Sequence, residues 1–326
     1  MKIAFLTEMS FEGKIPETHR NMRTEFAWMF YSNADHFCIR NIKNVKEYDK
    51  VFIIFPKGRV YLSAEGSTIL EGHNPSSELL DIGLVEQLRR QSNLEVNYIQ
   101  EGPHWWFTDY EVLDQIRFYN FVSECDFIFA HNESDTSYYR GLFSPEKVRT
   151  LPTMMVDKLI QDIQPTGENK VIIGGNFARW YGGFESYIVA SEFNLPIWAQ
   201  TSHAMRKNEK DIEGLFHLPR LEWVDWMKEL SKFKFAVHLM PTVAAGTFSL
   251  NCAYFGIPCI GNEKVDTQRI CHPKLSVDVD NIETAKNLAK RLKEDSEFYQ
   301  ECSILCKQNY HKHYNMEICK DKINYK

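Results

Sequence analysis

The chain has 326 residues, 44% of them hydrophobic and 25% charged, with a formal net charge of -6 at neutral pH. That length suits two domains of roughly 150 residues each, and the composition is that of a chain that buries a core, not of a disordered or fibrous one. An acidic balance argues against a nonspecific nucleic-acid binder while leaving room for a local basic groove, and no apolar run approaches the roughly 18 residues of a membrane span.

Met1-Lys2-Ile3-Ala4-Phe5-Leu6 enters an apolar strand at once, without the apolar core and cleavage site of a signal peptide, so a cytoplasmic location is expected. Short apolar runs at Lys2–Leu6, Lys50–Phe55, Val96–Gln100, Asp126–Ala130 and Val148–Leu151 read as strands, with helical patterns at Ser77–Arg90 and Tyr110–Glu124 between them. That alternation predicts a parallel sheet covered by helices. A short helix over Met155–Ile163 and the polar breaker Gln164-Pro165-Thr166-Gly167-Glu168-Asn169 then predict an interdomain linker.

A second series follows, with strands at Lys170–Ile173, Leu195–Ala199, Phe235–Leu239 and Pro258–Ile260. Helices are expected at Phe184–Phe193, Trp223–Ser231 and Thr247–Phe255, and a short segment at Leu215–Leu218. Helical spacing at Ile282–Lys293 and Ser296–Asn309 closes the chain. The expectation is an α/β protein of two Rossmann-like domains, residues 1–160 and 161–326, facing across a cleft, with C-terminal helices.

The eight cysteines form no CxxC pair and mostly sit in apolar periodic segments, which predicts reduced core residues. Cys302, Cys306, His311 and His313 are the one group whose spacing leaves a zinc site open beside the simpler reading of an amphipathic helix end. Asp278-Val279-Asp280 has the Asp-x-Asp form of a metal motif but directly precedes a helix, where a strand end and helix cap explain it. No metal ligand is assigned.

Two blocks in the second half carry chemistry. Gly246-Thr247-Phe248-Ser249-Leu250-Asn251 opens a helix that closes on Gly256-Ile257-Pro258 before a buried strand. The free N–H groups of such a helix start favour an anion such as a diphosphate, and a small residue at Gly246 lets it come close; an ordinary capped helix is the alternative. Val171-Ile172-Ile173-Gly174-Gly175-Asn176-Phe177-Ala178-Arg179-Trp180 places a glycine pair straight after a strand, where backbone can approach a ligand, and Arg179 can grip a diphosphate with two prongs. A tight turn also needs a glycine there.

The first of these blocks resembles the donor-site helix of GT-B glycosyltransferases, which ends in Glu-Ala-x-Ala-x-Gly-x-Pro-Val-Ile. The acidic residue that those proteins place five positions before the closing glycine is Asn251 here, and the earlier acidic position falls on Val243. The second block, with Gly182-Gly183-Phe184-Glu185-Ser186 after it and Asp266-Thr267-Gln268-Arg269-Ile270 further on, resembles the DNA β-glucosyltransferases of T-even bacteriophages. The resemblance implies a nucleotide-sugar donor, UDP-sugar favoured, held by Gly174, Gly175, Asn176, Arg179, Gly246, Thr247, Phe248 and Asn251. It implies no tightly bound cofactor, and a divalent cation (Mg or Mn) at most loosely bound.

In the first half, strand Val96–Gln100 runs into Glu101-Gly102-Pro103-His104-Trp105-Trp106-Phe107. A carboxylate at the carboxyl end of a parallel strand lies where open α/β sheets put their working residues. The resemblance makes Glu101 the base that takes the acceptor's proton; a solvated turn residue is the alternative. His104, Trp105 and Trp106 form an aromatic cluster able to stack on a sugar or a base, or to fill the core. His19, Arg20 and Arg23, in the loop after the first strand, are the remaining acceptor-binding candidates. His131-Asn132-Glu133-Ser134-Asp135 reads as a helix cap.

No Gly-x-Gly-x-x-Gly or Walker A pattern occurs, which argues against a dinucleotide oxidoreductase or NTPase. The expected function is sugar transfer from a nucleotide-diphosphate donor to an acceptor hydroxyl. A hydroxymethylated base of double-stranded phage DNA in the host cytoplasm is one acceptor, with Arg20, Arg23, Arg40, Lys43, Lys46 and Lys50 as a phosphate track. A glycan or small molecule is the other, and a noncatalytic sugar- or nucleotide-binding protein is the alternative class.

Overall fold

The structure is a computed structural model of the chain. It describes every residue except 8–10, 20, 40–44, 46, 55–58, 63–67, 72–81, 92, 110, 176, 178–179, 201–207 and 324–326, and the backbone alone at 59–62, 68–71, 82–84, 91, 106, 107, 109 and 319. Two compact units emerge. One comprises residues 1–16, 28–152 and 320–326, and the other residues 17–27 and 153–319. The units are not contiguous in sequence: a stretch of the first loop belongs with the second half, and the last few residues belong with the first.

The first unit is built on β1 (Ile3–Thr7), β2 (Gly13–Lys14), β3 (Asp35–Cys38), β4 (Lys50–Ile53), β7 (Glu95–Ile99), β8 (Phe127–Ala130) and β9 (Val148–Thr150), with a separate antiparallel pair, β5 (Arg59–Leu62) and β6 (Thr68–Glu71). The sheet order is β2-β3-β1-β4-β7-β8-β9, parallel except for β2. β1 is buried along its whole length, as an inner parallel strand covered on both faces must be. Helices α1 (Glu25–Tyr31), α2 (Ile82–Gln91), α3 (Val112–Glu124) and α4 (Glu133–Leu142) connect the strands. Val85 and Leu88 of α2 and Phe118, Phe121 and Val122 of α3 share one core with Val51, Val96 and Ile128. α4 begins where the sequence places a cap: Asn132 Oδ1 accepts from Asp135 N at 2.8 Å.

The second unit contains β10 (Glu168–Ile173), β11 (Ile197–Gln200), β12 (Leu215–Leu218), β13 (Phe233–His238), β14 (Cys259–Asn262) and β15 (Ser276–Val277). Their order, β12-β11-β10-β13-β14-β15, is the doubly wound arrangement in which the chain runs outward from the middle in both directions. All five pairings are parallel. Helices α5 (Gly183–Ala190), α6 (Trp223–Leu230), α7 (Thr247–Phe255) and α8 (Asp266–Cys271) return the chain. α9 (Ile282–Glu294), α10 (Ser296–His313) and α11 (Met316–Ile323) follow, and Ala285, Ala289, Leu292, Phe298 and Cys302 of α9 and α10 join the core of Val171, Ile173, Val237 and Ile260.

The expected helix over Met155–Ile163 is absent; a single 3-10 turn, Asp157–Leu159, stands in its place. The backbone there is committed elsewhere: Thr24 N donates to Met154 O at 2.6 Å and Val156 N to Met22 O at 2.9 Å, and Arg23 and Met155 form an antiparallel bridge. Seven cysteines are free and buried. No group of three or more His, Cys, Asp or Glu among the described residues is placed to hold a metal ion, so Cys302, Cys306, His311 and His313 do not converge. Asp278 Oδ1 instead accepts from Asp280 N at 3.0 Å, and Asn281 caps α9. No described helix is long and apolar enough to cross a membrane.

Candidate functional site

In a doubly wound sheet, ligands bind beyond the carboxyl ends of the strands at the point where the strand order reverses. In the second unit that point lies between β10 and β13. β10 runs into Gly174, whose N–H donates to Val237 O at 2.9 Å, and β13 ends at His238. α7 starts just beyond.

The first turn of α7 is unusual. Its N-cap, Gly246, is left-handed at φ 70° and supplies no side-chain cap. The Gly246 carbonyl is saturated, accepting from Leu250 N at 3.3 Å, Ser249 Oγ at 3.1 Å and Thr267 Oγ1 at 2.8 Å. The N–H groups of Thr247, Phe248 and Ser249 find no acceptor among the described residues. Three uncapped donors at the positive end of a nine-residue helix favour a nearby negative charge.

The glycines here serve the protein first. A Cβ on Gly174 would lie 2.5 Å from His238 Cγ and 2.7 Å from Phe248 Cδ1, and one on Gly175 would lie 2.7 Å from Tyr181 Cβ. On Gly246 it would lie 2.0 Å from Thr267 Oγ1. The room anticipated for a ligand at these three positions is taken up by close packing of the chain's own strand ends and loops. Asn251 also differs from expectation. It is buried on α7, and the amide orientation that satisfies both ends accepts from Trp226 Nε1 at 3.0 Å and donates to Thr247 O at 3.1 Å. Both ends of its amide have protein partners. Asn176 and Arg179 lie outside the described residues.

His238 stands edge-on to Phe248, with ring centroids 5.0 Å apart. Its Nε2 is buried and has no hydrogen-bond partner among the described residues. Burial pushes its pKa down to about 4, so the imidazole is neutral at physiological pH. The sequence reading missed this residue; its only signal is a histidine closing an apolar run.

Arg23 was expected among the acceptor-binding residues of the first domain. It belongs instead to the second unit. Its Nε donates to Asn21 Oδ1 at 2.9 Å and its Nη1 reaches Thr247 Oγ1 at 3.4 Å. His19 packs nearby, stacked on Phe26 at 4.2 Å and accepting from Asn21 N through Nδ1 at 3.1 Å, and so braces the turn. Arg20 lies outside the described residues.

In the first unit the carboxyl end of β7 is held from within. Gln100 is fully buried, its Oε1 accepts from the hydroxyls of Tyr98 and Tyr139, and its Nε2 donates to the carbonyls of Glu101, Gly102 and Pro103 at 3.2–3.4 Å. One buried amide thereby fixes the loop that carries Glu101, which is partly exposed. His104 follows on a 3-10 turn, with Nδ1 2.6 Å from Asp135 Oδ1 and its ring stacked on Tyr138 at 4.0 Å. Asp135 is buried on α4 and also accepts from Asn132 Nδ2 and from the His104 N–H. A buried carboxylate that binds Nδ1 fixes the tautomer of an imidazole and leaves Nε2 to act; His104 Nε2 has no protein partner among the described residues. Trp105 is partly buried, and the side chain of Trp106 lies outside the described residues. Of the basic residues expected to form a phosphate track, Arg20, Arg40, Lys43 and Lys46 also lie outside them. Lys50 is buried and paired with Glu95 at 3.0 Å, so it is no part of a surface track.

No family model and no curated protein sequence matches the chain. Its fold does match: the architecture is that of the GT-B glycosyltransferases, two Rossmann-like domains in one chain. Among the similar solved structures is Anabaena HepE in complex with UDP and glucose, at 9% identity, TM-score 0.65, covering 99% of this chain and 98% of that one. Another is an alpha-glucosyltransferase in complex with UDP and a 13-mer DNA containing an HMU base, at 11% identity, TM-score 0.64, with coverage of 99% and 98%. A third is S. aureus TarM with UDP, at 11% identity and TM-score 0.60; the match covers 87% of this chain and 56% of TarM.

Proposed function

We propose that the chain is a glycosyltransferase that moves a sugar from a nucleoside diphosphate, UDP-sugar by preference, to an acceptor hydroxyl. The observation that carries this reading is the uncapped first turn of α7 at the switch point of the second sheet, in a fold whose solved examples include UDP complexes. The diphosphate would lie on the N–H groups of Thr247, Phe248 and Ser249, with Arg179 closing on it. The loop after β7 would serve the acceptor, His104 and Trp105 contacting it and Glu101 acting as base. The acceptor oxygen then bonds to the anomeric carbon as its proton passes to Glu101. The bond to the diphosphate breaks, and its electron pair leaves on the nucleoside diphosphate.

A hydroxymethylated base in duplex DNA is the acceptor favoured by the DNA-bound alpha-glucosyltransferase similar in fold. A glycan or small molecule is the competing acceptor. A thermal-shift panel of UDP, GDP, ADP and CMP at about 100 times the dissociation constant should stabilise the protein by roughly 2.7 kcal/mol for the true nucleotide, and Arg179→Ala should abolish the response. UDP release should then require duplex DNA carrying a hydroxymethylated base and not plain duplex. Glu101→Gln should lower turnover at least a hundredfold with nucleotide binding kept. Unchanged UDP release by that variant would remove Glu101 from the mechanism, and no turnover with any acceptor would leave a binding protein.

A further inference from the structure

Arg23 has no ion-pair partner among the described residues. Among the described residues its only hydrogen-bond partners are the Asn21 amide oxygen and, at 3.4 Å, the Thr247 hydroxyl. No carboxylate lies within ion-pairing distance of it among the described residues; Glu25 and Tyr181 are the titratable groups it feels, and neither is hydrogen-bonded to it. Desolvation lowers its pKa from the usual value. A cation drawn partly out of water without a counter-ion is costly, and proteins keep such a group where an anion completes it.

The backbone holds this arginine firmly. Thr24, the next residue, is β-branched yet sits at φ 51°, a strained conformation, and its N–H is pinned to Met154 O at 2.6 Å. With the bridge to Met155, this places the guanidinium at the first residue of α7. At the same turn the buried Nε2 of His238, edge-on to Phe248, has no hydrogen-bond partner among the described residues. An arginine with no ion-pair partner and an imidazole nitrogen with no hydrogen-bond partner among the described residues thus accompany three uncapped N–H groups.

We propose that Arg23, although carried on the first loop of the chain, is the fixed counter-cation of the donor diphosphate at the N-terminus of α7. This assignment rests on the donor reading given above and deepens it: the donor site is not made by the second half of the sequence alone. Planar N–H groups left without an acceptor among the described residues match two phosphate oxygens, which an ammonium group does less well.

The test uses the full chain with Arg23→Met, which keeps most of the aliphatic stem, and Arg23→Lys. Binding of UDP, GDP and ADP to the wild type is measured by calorimetry, and the preferred diphosphate and its nucleoside are then titrated into each variant. Arg23→Met should lose at least tenfold in affinity for the diphosphate, Arg23→Lys less, and affinity for the nucleoside should not change. The melting temperature of unliganded Arg23→Met should equal or exceed that of the wild type, because an uncompensated charge has been removed. Equal diphosphate affinity in wild type and Arg23→Met would overturn the assignment and leave the donor reading standing. A lowered melting temperature with parallel loss of diphosphate and nucleoside would also overturn it, in favour of a structural role. A wild type that binds none of the three diphosphates would overturn the donor reading and this assignment together.

Discussion

His272 is 2% exposed, its Nε2 donating to Ser249 O at 3.0 Å and its Nδ1 facing Cys259 N at 3.4 Å, so both ring nitrogens are used by the neutral form. Burial holds its pKa at about 4, down from 6.5. Between those values the unfolded chain binds a proton that the folded imidazole refuses. Stability from this group is therefore complete above about pH 6.5 and is lost as the pH falls toward 4, by about 2 kcal/mol at pH 5. Urea unfolding at pH 7.5 and pH 5 should show that loss, and His272→Gln should show less of it, whatever its own stability at pH 7.5. If the variant loses as much as the wild type, the acid sensitivity lies elsewhere; His238, shifted in the same direction, is then the next residue to change. Asn251 shows what a sequence cannot display at this scale. Its place in the motif was legible, but the Trp226 indole that takes up its amide comes from another helix, twenty-five residues upstream. Only the fold brings them together.

At the scale of elements, the alternation of strands and helices and its restart after the polar breaker were legible, because apolar periodicity is a local signal. β3 was not: Asp35–Cys38 alternates only weakly between half-buried and buried and holds one polar and one charged residue among four. The helix expected over Met155–Ile163 failed for a different reason, since pairing with residues 22–24 claims its backbone and no local propensity announces that. The glycine loops fall between these cases, for the glycines were visible and what they make room for was not. Gly182 makes the point testable. It sits at φ 62°, and a Cβ there would lie 1.9 Å from Leu239 O, a backbone atom that cannot swing away. Gly167 has nearly the same φ, 61°, with nothing within 4 Å. Gly167→Ala should cost only the left-handed strain, about 1 kcal/mol, and Gly182→Ala that plus overpacking, about 3 kcal/mol or more, in denaturant titrations. Equal losses would mean that the approach of the loop to β13 is not tight.

At the scale of the whole molecule, the division at residue 160 that the sequence suggests misses residues 17–27, which cluster with 153–319. Met22, Phe26 and Ala27 are each buried to within 3% of full burial, Met22 O accepts from Val156 N at 2.9 Å, and Lys158 pairs with Glu17 at 2.6 Å. A chain starting at Thr153 would leave the surface under that strip uncovered. Burial of a Met or Phe side chain is worth roughly 1.5–3 kcal/mol, so loss of the two together with their backbone bonds removes about 5 kcal/mol. Against a domain stability of about 5–15 kcal/mol that is decisive for all but the most stable folds. Residues 153–319 expressed alone should therefore melt about 10–20 °C below the full chain or show no cooperative transition, at roughly 2–4 °C per kcal/mol for a domain of this size. In the full chain, Met22→Ala and Phe26→Ala should each cost about 2–5 kcal/mol by the same measure, as buried truncations do. A fragment that melts where the full chain does would show that the strip rests on a unit already complete without it, and the second half would then be a domain in the sense its sequence suggests.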